Sequence, residues 1–97
     1  MEIKVRSLKF DADQKLQAFI EKKVSKLERF YEGADSEVTL SLGPKPENKT
    51  VKLTVFAPGQ KFVIERSSVS FENAIEAAAD AMKEKLTRAK EKREEIQ

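Results

Sequence analysis

The stretch DQKLQAFIEKKVSKLERFY, Asp13 to Tyr31, decides the fold. Leu16, Phe19, Ile20, Val24, Leu27, Phe30 and Tyr31 recur in it at steps of three and four, the spacing that places residues on one face of a 3.6-residue helix. Such a face has to be buried, so the rest of the chain must supply a layer to cover it. On a helical projection Lys15, Lys22, Lys26 and Arg29 share one stripe, roughly 60° wide, along one flank of the apolar face. Glu21, Glu28 and Glu32 gather on the opposite flank. Charges that serve solubility alone need not separate by sign. The pattern therefore fits a positive rim turned toward an anionic partner, and it also fits an ordinary solvated helix face. Lys23 is the exception, since its angle lies inside the apolar arc between Phe19 and Leu27 and directs it along the edge of whatever packs there.

Both ends of this helix are marked. Asp11 or Asp13 can accept from the orphan amides of the first turn, and Gly33, just past the last apolar pair, can take the left-handed conformation that stops a helix. Upstream, Ile3 and Val5 alternate with Lys4 and Arg6 as in a half-buried strand, and the apolar parity then switches to Leu8 and Phe10. That switch predicts a bulge or bend near Ser7.

Downstream, Val38, Leu40 and Leu42 alternate with Thr39 and Ser41, so residues 37–42 read as a second strand. The polar loop from Gly43 to Asn48 carries two prolines that cannot donate to a ladder. Val51, Leu53, Val55 and Ala57 mark a third strand. Ala57-Pro-Gly-Gln is a compact turn, and Lys61 to Arg66 supplies the hairpin partner, with Phe62 and Ile64 facing inward. Ser70 can cap a last helix, with Asn73 standing where a capping box has Glu or Gln. Phe71, Ile75, Ala78, Ala79, Met82, Leu86 and Ala89 form its apolar stripe. From Lys90 to Gln97 the composition stays helical and the periodicity is lost, so 91–97 is expected to fray or project into solvent.

The order β-α-β-β-β-α predicts an α+β fold. Strands two to four form an antiparallel meander, and strand one reaches its neighbour through the first helix, a crossover that makes a parallel pair. The result is a four-stranded mixed sheet with both helices side by side on one face. Residues 1–97 read as a single domain with one modest core.

The chain has no cysteine and no histidine, which removes thiolate nucleophiles, imidazole acid–base chemistry and the usual zinc and haem ligands. No nucleophile, metal cluster or phosphate loop accompanies Glu65 or its acidic neighbours. A non-enzyme is expected, with no catalytic residues, cofactor, metal or small-molecule substrate. No apolar run approaches a membrane span, and Met1-Glu-Ile-Lys-Val-Arg lacks the apolar core of a signal peptide. A soluble, cytoplasmic protein is the expectation. Nineteen Lys and Arg against seventeen Asp and Glu leave a net charge of +2, so nucleic-acid binding would have to come from local patches.

The last helix offers such patches. Lys85, Arg88 and Lys92 line one flank of its apolar stripe and Lys83 and Lys90 the other, while Glu72, Glu76, Asp80, Glu91 and Glu94 take much of the outward side. If the helices are neighbours, these flanks merge with the first helix's stripe into a cationic ridge or cleft suited to phosphates and RNA shape. Phe19, Phe30 and Phe71 stand at core spacing, whereas the parity of Phe56 puts it on the exposed sheet face. The G-x-x-G loop of KH domains and the aromatic pattern of an RRM are absent.

Phe10-Asp-Ala-Asp, Phe19-Ile-Glu-Lys-Lys-Val-Ser-Lys-Leu-Glu-Arg-Phe and Ser70-Phe-Glu-Asn-Ala-Ile-Glu with the Lys/Arg-rich helix after it resemble the ribosome hibernation-promoting factor family, also called ribosome-associated inhibitor or protein Y. The resemblance spans essentially the whole chain. It implies binding to the small ribosomal subunit, on rRNA of the channel used by mRNA and by tRNA anticodon ends, with translation blocked in stationary phase or stress. It matches Lys23, Lys26 and Arg29 to the family's basic sites on the first helix and Arg88, Lys90 and Lys92 to those on the second. With the stripe geometry this makes Lys22, Lys23, Lys26, Arg29, Lys83, Lys85, Arg88, Lys90 and Lys92 the expected rRNA-binding set. Ser68 and Ser70 replace acidic residues common before the last helix, and Glu84 stands where a basic residue is common. The chain resembles the short form, without a second dimerising domain, and is expected to be monomeric off the ribosome. The alternatives are a general double-stranded-RNA-binding module and a protein adaptor working through the exposed sheet face.

Overall fold

The computed structural model describes residues 1–45 and 48–95, the side chains of 92–95 apart. Pro46 and Glu47 of the expected proline loop, and the last two residues of the expected tail, lie outside the described residues.

Alternating apolar residues build four strands, β1 (Ile3–Ser7), β2 (Asp35–Leu42), β3 (Lys49–Ala57) and β4 (Gln60–Ser68), in the spatial order β1-β2-β3-β4. β1 runs parallel to β2, and the other neighbours are antiparallel. One row of the register, Val5 opposite Val38, Val38 opposite Leu53 and Leu53 opposite Ile64, shows how the pattern turns one face apolar across the sheet. Helices α1 (Gln14–Ser25) and α2 (Phe71–Glu95) complete the expected β-α-β-β-β-α order. α2 packs against β3 and β4, α1 against β1, and the helices contact each other. Leu16, Ile20 and Val24 of α1, Ile75, Met82 and Leu86 of α2, and Val38, Leu40, Val51, Leu53 and Val55 of the sheet share one buried cluster. Fully burying a side chain of this size contributes about 1.5–3 kcal/mol.

The local signals act as their chemistry dictates. The Asp13 carboxylate accepts from the Leu16 amide at 2.8 Å, so Asp13 is the cap rather than Asp11. Ser70 Oγ accepts from the Asn73 amide at 3.1 Å and starts α2. Gly33, at φ 79°, and Gly59, at φ 78° in the β3–β4 turn, both use the left-handed region.

One feature differs from the sequence reading, and one alternative it left open, bulge or bend, is decided in favour of the bend. The first helix does not run as one α-helix to Tyr31: it ends at Ser25, and Lys26–Arg29 tightens into a 3-10 turn closed by Phe30 N donating to Leu27 O at 2.9 Å. At three residues per turn, positions three apart align. Lys26 therefore stands in line with Arg29, and Leu27 with Phe30. The parity switch after β1 needs no bulge, because the register with β2 is continuous from Ile3 to Ser7 and Leu8 N still bonds Leu40 O at 2.9 Å. The chain instead bends at Lys9, whose φ of 68° is left-handed. That bend brings Phe10 onto Phe71, ring centroids 5.2 Å apart, and leaves Leu8 outside the core.

Candidate nucleic-acid interface

Side-by-side packing of α1 and α2 leaves a groove of about 210 Å³ lined by Lys23, Lys26, Leu27, Arg29, Phe30, Ala79, Asp80 and Lys83. Its apolar members are Leu27 and Ala79, both buried, and the half-buried Phe30, and its other members are charged. Of the basic flank, Lys26 and Arg29 of the 3-10 turn line this groove, joined by Lys23 of α1. Of the acidic flank, Glu21 shares a recess with Met1 and Ile3, and Glu28 pairs with the Met1 amino group at 2.9 Å.

The groove cations are held in different ways. Lys23 lies half-buried with its Nζ 5.5 Å from the Phe19 ring centroid and 3.5 Å from Glu76 Oε1, so it reaches across to α2 along the helix–helix seam. Lys83 reaches the other way, its Nζ 5.4 Å from the Phe30 ring centroid. A ring face attracts a cation modestly at such distances, and it aims the ammonium while leaving its N–H donors open. Lys26 and Arg29, aligned by the 3-10 turn, are exposed and make no ion pair or hydrogen bond among the described residues. Their donors are available to a ligand.

The other expected residues stand elsewhere. Lys22 lines a separate shallow recess with Met1, Ile3, Ala18, Glu21 and Ser25. Lys85 extends over β4 and donates to the Val63 carbonyl at 3.3 Å. Arg88 turns back along α2 to Glu84 at 2.6 Å. Lys90 is exposed on α2 and does not line the groove. The side chain of Lys92 lies outside the described residues. The structure thus brings together Lys23, Lys26, Arg29 and Lys83.

Two acids of this region, Glu76 and Asp80, belong to what the helical pattern assigns to the outward side. Their spacing from Lys83, at i, i+4 and i+7, is the signal that they share its face. Among the described residues no group of acidic side chains is arranged to hold a metal ion, and no helix is long and apolar enough to cross a membrane. On the open sheet face Phe56 is 44% exposed, as its parity predicts, in a recess with Glu2, Lys4, Asp35 and Glu37, where the two signs of charge are mixed.

With this geometry in place the comparison with known families is decisive. The model of the sigma 54 modulation protein / S30EA ribosomal protein family matches residues 3–94. The chain belongs to that family. It is the family of the ribosome hibernation-promoting factors, a ribosome-associated family and not a known enzyme family. Among solved structures, the N-terminal domain of Thermus thermophilus Protein Y superposes with a TM-score of 0.81 at 24% identity, covering 91% of this chain and 98% of that one. A ribosomal subunit interface protein from Coxiella burnetii gives 0.83 at 16% identity, covering 93% and 98%. At these identities the likenesses establish the shared fold. No curated protein sequence matches the chain.

Proposed function

We propose that this member of the family is a ribosome hibernation factor that seats its inter-helix groove on rRNA of the small subunit's decoding channel. There it overlaps the mRNA and tRNA sites and inhibits translation in stationary phase or stress. The observation that carries the reading is the grouping of Lys26, Arg29 and Lys83 beside one groove with no carboxylate paired to any of them among the described residues. Such donors exchange condensed counterions for phosphate contacts, which gives affinity without sequence reading. Lys22, Arg88 and Lys90 stand outside the groove as flanking contacts to a larger RNA surface, while the Lys85 ammonium is held by the Val63 carbonyl. The protein acts as a cytoplasmic monomer off the ribosome and blocks the channel by occupancy.

The test is the triple charge reversal Lys26→Glu, Arg29→Glu and Lys83→Glu. All three side chains are exposed, so the circular-dichroism spectrum should be unchanged while co-sedimentation with small subunits is lost. A triple variant that still co-sediments like the parent protein overturns the reading. Binding of the parent protein to naked duplex RNA nearly as well as to small subunits would favour the general double-stranded-RNA module.

A further inference from the structure

The groove that takes the phosphates also holds one carboxylate that cannot contact them favourably. Asp80 lines it together with Lys23, Lys26, Arg29 and Lys83. It is exposed, and among the described residues its carboxylate makes no ion pair or hydrogen bond. One turn earlier on α2, Glu76 is engaged with Lys23 at 3.5 Å. The two acids on this side of α2 are thus in different states, one paired and one open. An open carboxylate repels phosphate and can only accept hydrogen bonds, so its presence among four cations is explained by a ligand that brings N–H donors along with its negative charge. RNA carries such donors on the base edges, and unpaired bases present them.

We propose that Asp80 selects an unpaired guanine, whose flanking phosphates lie on Lys26, Arg29 and Lys83. Guanine presents N1–H and N2–H side by side, which matches the two oxygens of a carboxylate as a bidentate acceptor. Cytosine and adenine each offer one exocyclic amine next to a ring nitrogen that is itself an acceptor and repels the second oxygen. Uracil offers one N–H between two carbonyls. The groove's volume of about 210 Å³ admits a planar base beside the half-buried Phe30, with Leu27 and Ala79 as its floor. The same residues then divide the work: the cations position the backbone and the carboxylate reads the base. This inference rests on the proposed binding of the small subunit and names the nucleotide that the same groove takes.

The test uses small subunits bound by the parent protein, Asp80→Ala or Asp80→Asn, probed with kethoxal, which reacts at N1 and N2 of unpaired guanine, and with hydroxyl radicals, which report on the sugars. The parent protein should shield a guanine from kethoxal. Both variants, added at saturating concentration, should restore its reactivity about tenfold, toward that of the free subunit, while sugar protection persists. Should Asp80 be only a counter-charge, both variants would bind more tightly with every kethoxal protection unchanged, and the inference is overturned. It is overturned equally if the parent protein binds and shields no guanine. Failure of the parent protein to bind small subunits removes the proposed function and this inference with it, so the two failures are distinguishable.

Discussion

Lys23 Nζ stands 3.5 Å from Glu76 Oε1, an ion pair that crosses from α1 to α2 along the edge of the groove. The lysine is the more buried partner, its side chain 31% exposed against 51% for the glutamate. Its stem is fixed by packing while its charge can change partner. In the free protein Glu76 occupies it, and an RNA phosphate would compete for the same ammonium.

Removing that competition should strengthen binding. Glu76→Gln keeps the size of the side chain and frees Lys23, so affinity for small subunits is expected to rise several-fold at low salt. A pair this exposed contributes little to the fold, and urea unfolding should shift by less than about 1 kcal/mol. Unchanged or weaker sedimentation would show that Lys23 does not meet RNA.

Groove and flank residues should separate in their salt response. With about three phosphate contacts in the groove alone, raising salt from about 50 to about 200 mM should weaken binding by at least about 20–40-fold. Lys26→Gln should flatten the slope of log affinity against log salt by roughly one contact's worth. Lys85→Gln should leave the slope unchanged, because the Lys85 ammonium is engaged with the Val63 carbonyl on β4. Equal slopes for the two variants would remove the distinction between groove and flank.

Ser36 is 2% exposed, and among the described residues its hydroxyl has no partner. Leaving a buried hydroxyl unsatisfied costs about 1–3 kcal/mol, and the methyl of alanine removes the polar atom at a small loss of volume. Ser36→Ala is expected to stabilise the protein by about 1 kcal/mol in urea titration. A destabilised variant would mean that the hydroxyl is satisfied in solution.

The two ends of the helical segment can be tested by single changes. Asp13→Ala deprives the Leu16 amide of its acceptor and should cost about 1 kcal/mol. Gly33→Ala meets no atom within 4 Å of the added Cβ, so its cost, about 1 kcal/mol, comes from the left-handed φ of 79° alone. Thermal unfolding of both variants checks these values. A neutral Gly33→Ala would show that the turn relaxes out of that conformation.

The architecture was legible because its signals are local. Period-two alternation in Val51 to Ala57, period-3.6 alternation in Phe71 to Ala89, and the caps at Asp13 and Ser70 each report on a few neighbouring residues. Phe56 illustrates the same reach, since parity alone sets it on the open face, where it is 44% exposed. The 3-10 turn at Lys26–Arg29 was not legible. An apolar pattern at steps of three and four suits both geometries, and packing against the sheet and α2 chooses between them.

Charge placement divides along the same line. Chain order and residue type dictated which side chains are basic, which helix carries each, and that Lys23 sits within an apolar arc. Whether those cations meet depended on contacts between α1 and α2 that no local window contains. Lys83 faces Phe30 in the groove, Lys85 crosses to the Val63 carbonyl, and Arg88 folds back on Glu84. Neighbouring residues on one helix were sent to three surroundings because the rotation of α2 about its axis is set by burying Ile75, Met82 and Leu86. The hydrophobic demand on those three outweighs any preference of the charges, which take the places that the buried stripe leaves to them.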